Sequence, residues 1–237
     1  MYYFCIMHIA IIPARKNSKR IKNKNIKIFF GKPIIAYSIE AAKKTKIFDE
    51  IYVSTNCPKI RKVAIKYGAK VPFLRSEKLS DSKAHLIDVL KDHLLKIENK
   101  KIEYVCLLFA TAPLMSSNFI KKAFLKLKRF KKAFFCLSYT NFSFPILRSF
   151  SINKNYLKAS FNNKMKIRSQ DLEEKFHEAG QFMWIKKAAV FKNKLVFHKN
   201  NSIGYFIPRH FVCDVDTEQD WKMLKLQYEI IKKRLNY

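Results

Sequence analysis

The sequence predicts an α/β fold: a mostly parallel sheet with helices on both faces. Three observations predict it. Short apolar runs recur along the first 140 residues, stretches with helical apolar spacing lie between them, and turn residues separate the two. The expected strands are HIAII (8–12), EIYVST (50–55), KVPFL (70–74), EYVCLLFA (103–110) and AFFCLSYT (133–140). Between the first two, Gly31 breaks the chain and Pro33 stands near a helix start. Ile34, Ile35, Ser38, Ile39 and Ala42 then share one face. PKIRKVAIKYG carries Ile60, Val63, Ala64 and Tyr67 on one stripe and stops at Gly68. SDSKAHLIDVLKDHLLKI sets Ser and Asp caps ahead of Leu86, Leu90 and Leu94. The lysine-rich KKAFLKLKRFKKAFF suits a helix with a buried side followed by a core strand, rather than a stacking surface for nucleic acid.

From about residue 141 the regularity fails. Residues 141–178 hold short aromatic pieces with polar breaks, which read as an inserted arm and not as a βα unit. Regular structure is expected again at AGQFMWI (179–185), NSIGYFIP (201–208) and HFVCDVDT (210–217), and in a closing helix with Trp221, Leu224, Tyr228 and Ile231 as its apolar stripe. One domain, 1–237, with an arm at approximately 141–178, fits better than two domains, and 237 residues suffice for a sizeable core.

Composition excludes several classes. No stretch approaches the ~18–20 consecutive apolar residues of a membrane span. The start MYYFCIMHIAII lacks a basic n-region, so no secretory signal is expected, and residues 1–6 read as an extension ahead of Met7. Cys5, Cys57, Cys106, Cys136 and Cys213 are scattered and without metal spacing, as in a reduced cytoplasmic protein. The six histidines show no ligand spacing either. The formal net charge of +30 would attract nucleic acid, an anionic membrane or acidic ligands. The excess runs through the whole chain, however, beside many Ile, Phe and Asn and only 4 Gly, the residue set that an A/T-rich coding sequence favours. Charge alone therefore does not identify a partner.

In a parallel α/β sheet, ligands bind beyond the carboxyl ends of the strands. Three polar clusters fall there: Arg15 to Asn25, Thr111, and the pair Asp214 and Asp216. The first offers Arg15, Ser18, Lys19, Arg20, Lys22, Lys24 and Asn25, residue types that grip phosphate, but it matches neither standard nucleotide fingerprint. On charge alone a solvated loop is the better reading. On a strand, Asp214 and Asp216 would share a face. Two readings stand at this point. The pair could bind Mg²⁺ together with substrate phosphates, or Asp216 and Thr217 could cap the last helix with Asp214 bonded locally.

IAIIPARKNSKRIKNKNIKIFFGKPIIAYSIEAA, EIYVSTNCPKIRKVAIKYGAKVPFLRSEKLSDS, LLFATAPL and DVDT resemble, in order and spacing, the cytidylyltransferases that make CMP-activated nonulosonic (sialic-type) acids. The likeness runs from Met7 to the final helix. RSQDLEEKFHEAGQFMW and LLFATAPL resemble the pseudaminic acid branch in particular. The resemblance implies a Rossmann-like nucleotidyltransferase sheet and a cytoplasmic, Mg²⁺-dependent homodimer whose inserted arms reach into the partner's site. It implies CTP and a nonulosonic acid as partners, with no nucleic acid and no membrane. By the same resemblance, Arg15, Ser18, Lys24, Asn25 and Thr111 would bind the nucleotide, with Arg15 and Lys24 catalytic at the α-phosphate. Arg75 and Ser82 would hold cytidine and ribose. Asp214 and Asp216 would carry the metal, and one would help deprotonate the attacking hydroxyl. Arg148 and Arg168 would pair with the sugar carboxylate, and Gln181 and Met183 would face its acyl-amino side.

Departures bear on this. The family loop commonly reads ARGGS, whereas this chain has ARKNS. Asn17 tolerates positive φ, but Lys16 requires an ordinary backbone or a reshaped loop. The rival acceptors are legionaminic, N-acetylneuraminic and eight-carbon ulosonic acids. The rival class is a basic nucleic-acid binder, for which the Asp214/Asp216 pair would have no use.

Overall fold

The run at 8–12 becomes β1 (Met7–Pro13), in a computed structural model that describes residues 6–235 apart from Asn17, Lys19, Ser82, Asn193, Leu195 and Lys199. Ser82, expected at the nucleotide, and Asn17 therefore lie outside the described residues. After β1 come β2 (Ile28–Phe29) and β3 (Lys32–Pro33), then α1 (Ile34–Thr45), β4 (Glu50–Ser54), α2 (Pro58–Lys66), α3 (Leu86–Ile97) and β5 (Ile102–Leu108). The second half holds α4 (Ser117–Arg129), β6 (Phe135–Asn141), β7 (Phe150–Asn153), β8 (Tyr156–Ala159), β9 (Phe176–Lys186), α5 (Lys187–Phe191), β10 (Ser202–Phe206) and α6 (Glu218–Leu235).

The central sheet has the order β10-β6-β9-β5-β1-β4. β1 pairs in parallel with β4 and β5, and β10 pairs in parallel with β6. Only β9 runs against its neighbours β5 and β6 in this sheet. Period-2 alternation divides the buried side chains between two cores. Ile9 and Ile11 of β1 join Val105 and Leu107 on the face that meets α3 and α5. Ala10 and Ile12 join Cys106 and Leu108 on the opposite face, beneath α1, α2 and α4. The strands are apolar on both sides because helices cover both sides. On the second face Trp184 of β9 stacks on Phe48 at 5.2 Å, and its ring N–H donates to the Ile120 carbonyl at 2.9 Å. A third cluster seats α6 through Trp221 and Leu224 against Ile21, Phe29 and Ile34.

Two expected strands are corrected. KVPFL contributes only a bridge between Tyr52 and Lys70, because Pro72 has no N–H to donate and the chain turns away from the sheet. HFVCDVDT is likewise no strand. Its first residues complete a 3₁₀ turn over Arg209–Phe211, and its last are held by α6, as described below. The side-chain caps expected for α3 are also corrected: the helix begins after His85, which makes no side-chain cap. Asp81 instead accepts from the Lys83 N–H at 2.8 Å, forming a turn of its own before the helix. α1 starts behind Pro33, α2 has Pro58 in its first turn, and Gly68 follows α2 with φ 92, as expected.

Residues 141–178 form an excursion. β6 and β9 open it, and β7 and β8 pair as a separate hairpin whose turn places Lys154 and Asn155 at φ 45 and 71. Positive φ at both central positions matches the twist of a two-residue hairpin. No helix among the described residues is long and apolar enough to cross a membrane.

Candidate active site

The order of β4, β1 and β5 creates the site. The chain passes from β1 to β4 on one side and then returns to β5 on the other, so the connections after β1 and β5 diverge. A crevice opens at such a switch point. Here it is a cleft of about 510 Å³, lined by Pro13, Arg15, Ser18, Arg20, Lys24 and Asn25 on one side and by Phe109, Ala110 and Thr111 on the other. Arg75, Asp81, Ala84 and Leu86 close a third side, and Asp216 stands at the rim of the first.

Each wall is fixed by hydrogen bonds to distant residues. Ala14 N–H donates to Ser54 O at 2.9 Å, and Lys16 N–H donates to Asn56 Oδ1 at 2.9 Å. Asn25 Nδ2 donates to Arg15 O at 3.0 Å, so this side chain shapes the loop that it was expected to help fill. Lys16 is not among the residues with positive φ, which resolves the question raised by ARKNS at that position: its backbone is ordinary. On the opposite wall, Phe109 N–H donates to Gln181 O at 2.9 Å, and the buried Ser38 hydroxyl donates to Phe109 O at 2.8 Å. Thr111 is thereby held at the cleft.

The electrostatics favour an anion. Arg75 is only 6% exposed; its Nε donates to Ser80 Oγ at 3.1 Å and its N–H to Thr55 O at 2.8 Å. Burial pushes its pKa down, and the nearby Arg15 pushes it further, while Asp92 and Glu77 oppose this. Arginine stays protonated in proteins, so a desolvated cation faces a second cation across the cleft, an arrangement that phosphate oxygens would relieve.

Asp216 meets the cations directly. Lys24 Nζ lies 3.2 Å from Oδ1 and donates to Val215 O at 2.6 Å, while Arg20 Nη2 lies 2.6 Å from Oδ2. The backbone around it is set by α6. Asp220 Oδ2 accepts from the N–H groups of Asp216 (3.0 Å) and Thr217 (2.7 Å), and Asp220 N–H donates to Thr217 Oγ1 at 3.2 Å. This is a reciprocal capping box. The Thr217 hydroxyl above all, with the two N–H groups and Arg20 adding to it, holds the Asp220 carboxyl below the usual range against the opposing effect of burial. The cap expected of Asp216 and Thr217 is thus made by Thr217 and Asp220, which leaves the Asp216 side chain to the cleft. Asp214 is exposed and does not line it.

The residues expected at the sugar are spread out. Met183 lines a recess of about 170 Å³ with Leu107, Leu137, Phe182, Gly180 and Glu178, and this recess shares Leu86 and Phe109 with the cleft. Gly180 sits in a β9 bulge at φ 61, which admits glycine without strain. Gln181 is buried, donates to Phe211 O at 2.6 Å, and has Oε1 unpaired. Arg148 and Arg168 are exposed on the arm, where Arg148 donates to Met165 O at 3.4 Å and Arg168 pairs with Asp171 at 2.9 Å.

The cytidylyltransferase family matches residues 9–233. This chain belongs to that family. Pseudaminic acid cytidylyltransferase of Campylobacter jejuni subsp. jejuni is 41% identical over 226 residues, covering 94% of this chain and 97% of its own. CMP-N,N'-diacetyllegionaminic acid synthase of Legionella pneumophila is 30% identical, covering 96% of this chain and 98% of its own. Among solved structures, a CMP:2-keto-3-deoxy-manno-octonic acid synthetase complexed with CTP superposes with a TM-score of 0.71 at 15% identity, over 94% of this chain and 98% of that one. At that identity the likeness is one of fold. The cleft described above therefore lies in a fold shared with that structure.

Proposed function

We propose that this cytidylyltransferase transfers CMP from CTP to the anomeric C2 hydroxyl of a nonulosonic acid, with pseudaminic acid as the acceptor and pyrophosphate as the second product. The observation that carries the reading is the cation-walled cleft at the switch point, with the Asp216 carboxylate at its rim. Near-full-length identity to a pseudaminic acid cytidylyltransferase supports the choice of acceptor.

In this reading Arg15, Lys24 and Arg75 offset phosphate charge, and Ser18 and Thr111 add directional hydrogen bonds. The C2 hydroxyl oxygen forms a bond to the α-phosphorus, the bond from that phosphorus to the bridging oxygen breaks, and pyrophosphate departs. The hydroxyl proton passes to a carboxylate or to water. In-line positioning and charge stabilisation supply most of the rate. The donor set fits Mg²⁺, which takes one or two carboxylates plus substrate phosphates. Asp216 would hold it at the cleft, whereas Asp214, expected beside it, is exposed and outside the cleft lining; bound Mg²⁺ would neutralise and align the phosphates. The apolar recess beside Met183 suits the methyl groups of acyl-amino substituents. The exposed arm suits a homodimer in which Arg148 and Arg168 serve the partner's site. The reaction would run in the cytoplasm, where CTP is made.

The test is pyrophosphate release from CTP and Mg²⁺ with a panel of nonulosonic acids. Release with pseudaminic acid is expected. Silence with every acid would sink the enzyme reading, and release with N-acetylneuraminic acid alone would sink the acceptor.

A further inference from the structure

Arg20 reaches Asp216, yet binding of the nucleotide does not by itself account for the contact. Each oxygen of the carboxylate already has a cation: Lys24 at 3.2 Å on Oδ1 and Arg20 at 2.6 Å on Oδ2. A divalent ion needs those same oxygens, at ~2.0–2.1 Å for Mg²⁺. Each oxygen keeps a second lone pair, but a dication brought beside two cations is repelled by both, and moving one of them away relieves that repulsion.

The two cations differ in how they are held. The Lys24 side chain is 18% exposed, and its ammonium is also tied to the Val215 carbonyl. The Arg20 side chain is 62% exposed, on a backbone anchored next to the fully buried Ile21. A fixed pivot with an exposed guanidinium can swing, and phosphate offers it a bidentate acceptor that a shared carboxylate oxygen does not.

We propose that Arg20 is an exchange residue. It occupies Asp216 until a triphosphate enters the cleft, then moves to the phosphate oxygens and releases Oδ2 to the divalent ion. This rests on the reading of the cleft as a CTP site. The exchange couples the two ligands, so each binds more tightly once the other is present, by the same factor in both directions. It also gives Arg20 an unusual signature: removing it strengthens metal binding to the protein alone and weakens nucleotide binding without metal. A variant that merely loosened the loop would weaken both.

The experiment titrates full-length protein with Mn²⁺ alone, with CTP alone in chelator, and with both, in the absence of any sugar acid. It compares the wild type with Arg20→Gln and Arg20→Lys. Arg20→Gln should bind Mn²⁺ alone roughly three- to five-fold more tightly, the worth of an exposed ion pair. It should bind CTP alone about ten-fold more weakly, having lost a charge-assisted contact. Arg20→Lys should restore most of both effects. Unchanged or weaker Mn²⁺ binding by Arg20→Gln overturns the exchange. If the wild type binds CTP while Arg20→Gln alters only CTP affinity, the nucleotide site stands and the exchange fails. If the wild type binds no CTP, the site reading fails and takes the exchange with it.

Discussion

The cleft and the arm are built on opposite principles. Around the cleft, polar groups are paired within the chain: Lys16 to Asn56, Asn25 to Arg15, Phe109 to Ser38 and Gln181, and Asp216 to its two cations. On the arm it is the apolar groups that lack cover: Phe144 is 83% exposed, Tyr156 80%, Ile152 70% and Leu157 64%. An apolar surface of that kind marks an interaction site. The contrast teaches that one chain pairs the polar groups of its cleft internally, whereas the arm leaves apolar side chains uncovered. In the proposed homodimer, a second copy would cover them.

The largest effect is expected where Asp216, the carboxylate that meets the cleft's cations, is removed. Asp216→Ala should lower turnover by about a thousand-fold or more, in line with loss of a preorganised charge at a transferring phosphoryl group. Thermal unfolding should be nearly unchanged, because Thr217 and Asp220 keep their cap. Near-normal activity would show that the carboxylate is not used.

Arg75→Met sharpens the contrast from the other side. It removes a buried cation, so the melting temperature should rise by about 2–4 °C per kcal/mol gained, while CTP affinity falls about a hundred-fold. A fall in both would mean that Arg75 is chiefly structural. Active sites commonly hold such destabilising groups for function.

A buried histidine behind that wall sets a pH limit. His93 packs between Tyr52 and Phe73 with neither ring nitrogen hydrogen-bonded. Burial pushes its pKa down to about 4, with Lys96 and Arg75 adding to the shift and Asp92 opposing it. The folded pKa is depressed, so the unfolded chain binds the proton more readily. Stability is full above about pH 6.5 and falls towards pH 4, by about 3 kcal/mol from this group. Denaturant titrations across that range should show the slope, and His93→Leu should flatten it.

The smallest effect on the fold is expected at the arm. Ile152→Asp with Tyr156→Ser should convert a dimer to a monomer in sedimentation while shifting the melting of the central domain by no more than a few degrees. Loss of the whole fold would place the hairpin in the core, contrary to its exposure.

Much of this was legible in the sequence, for physical reasons that differ by region. β1, β5, β6 and α6 follow from apolar periodicity, because helices or sheet cover each face. KVPFL and HFVCDVDT mislead because Val71 and Val215 are buried without entering the ladder, while Phe73, Phe211 and Val212 are only half-buried and Leu74 is exposed; Pro72 and Pro208 hint at that. Arg15, Lys24 and Thr111 were placed at strand ends, where a parallel sheet puts its ligands, and received nucleotide roles by resemblance; all three line the cleft. Asn56, Ser38 and the Arg20–Asp216 contact were not found, because each role depends on a residue at least 40 positions away. Asp220 had a local signal that went unread: Thr217-Glu218-Gln219-Asp220 has the spacing of a capping box.

The acceptor is the central claim, and a competition reads it most directly. With limiting CTP and equal amounts of pseudaminic, legionaminic and N-acetylneuraminic acids in one vessel, the ratio of CMP-sugars reports the ratio of kcat/KM values. The CMP derivative of pseudaminic acid should exceed each of the others by at least about ten-fold, the discrimination available when one apolar group is missing from a recess or misdirected by stereochemistry. An even mixture, or an excess of another CMP-sugar, would contradict it.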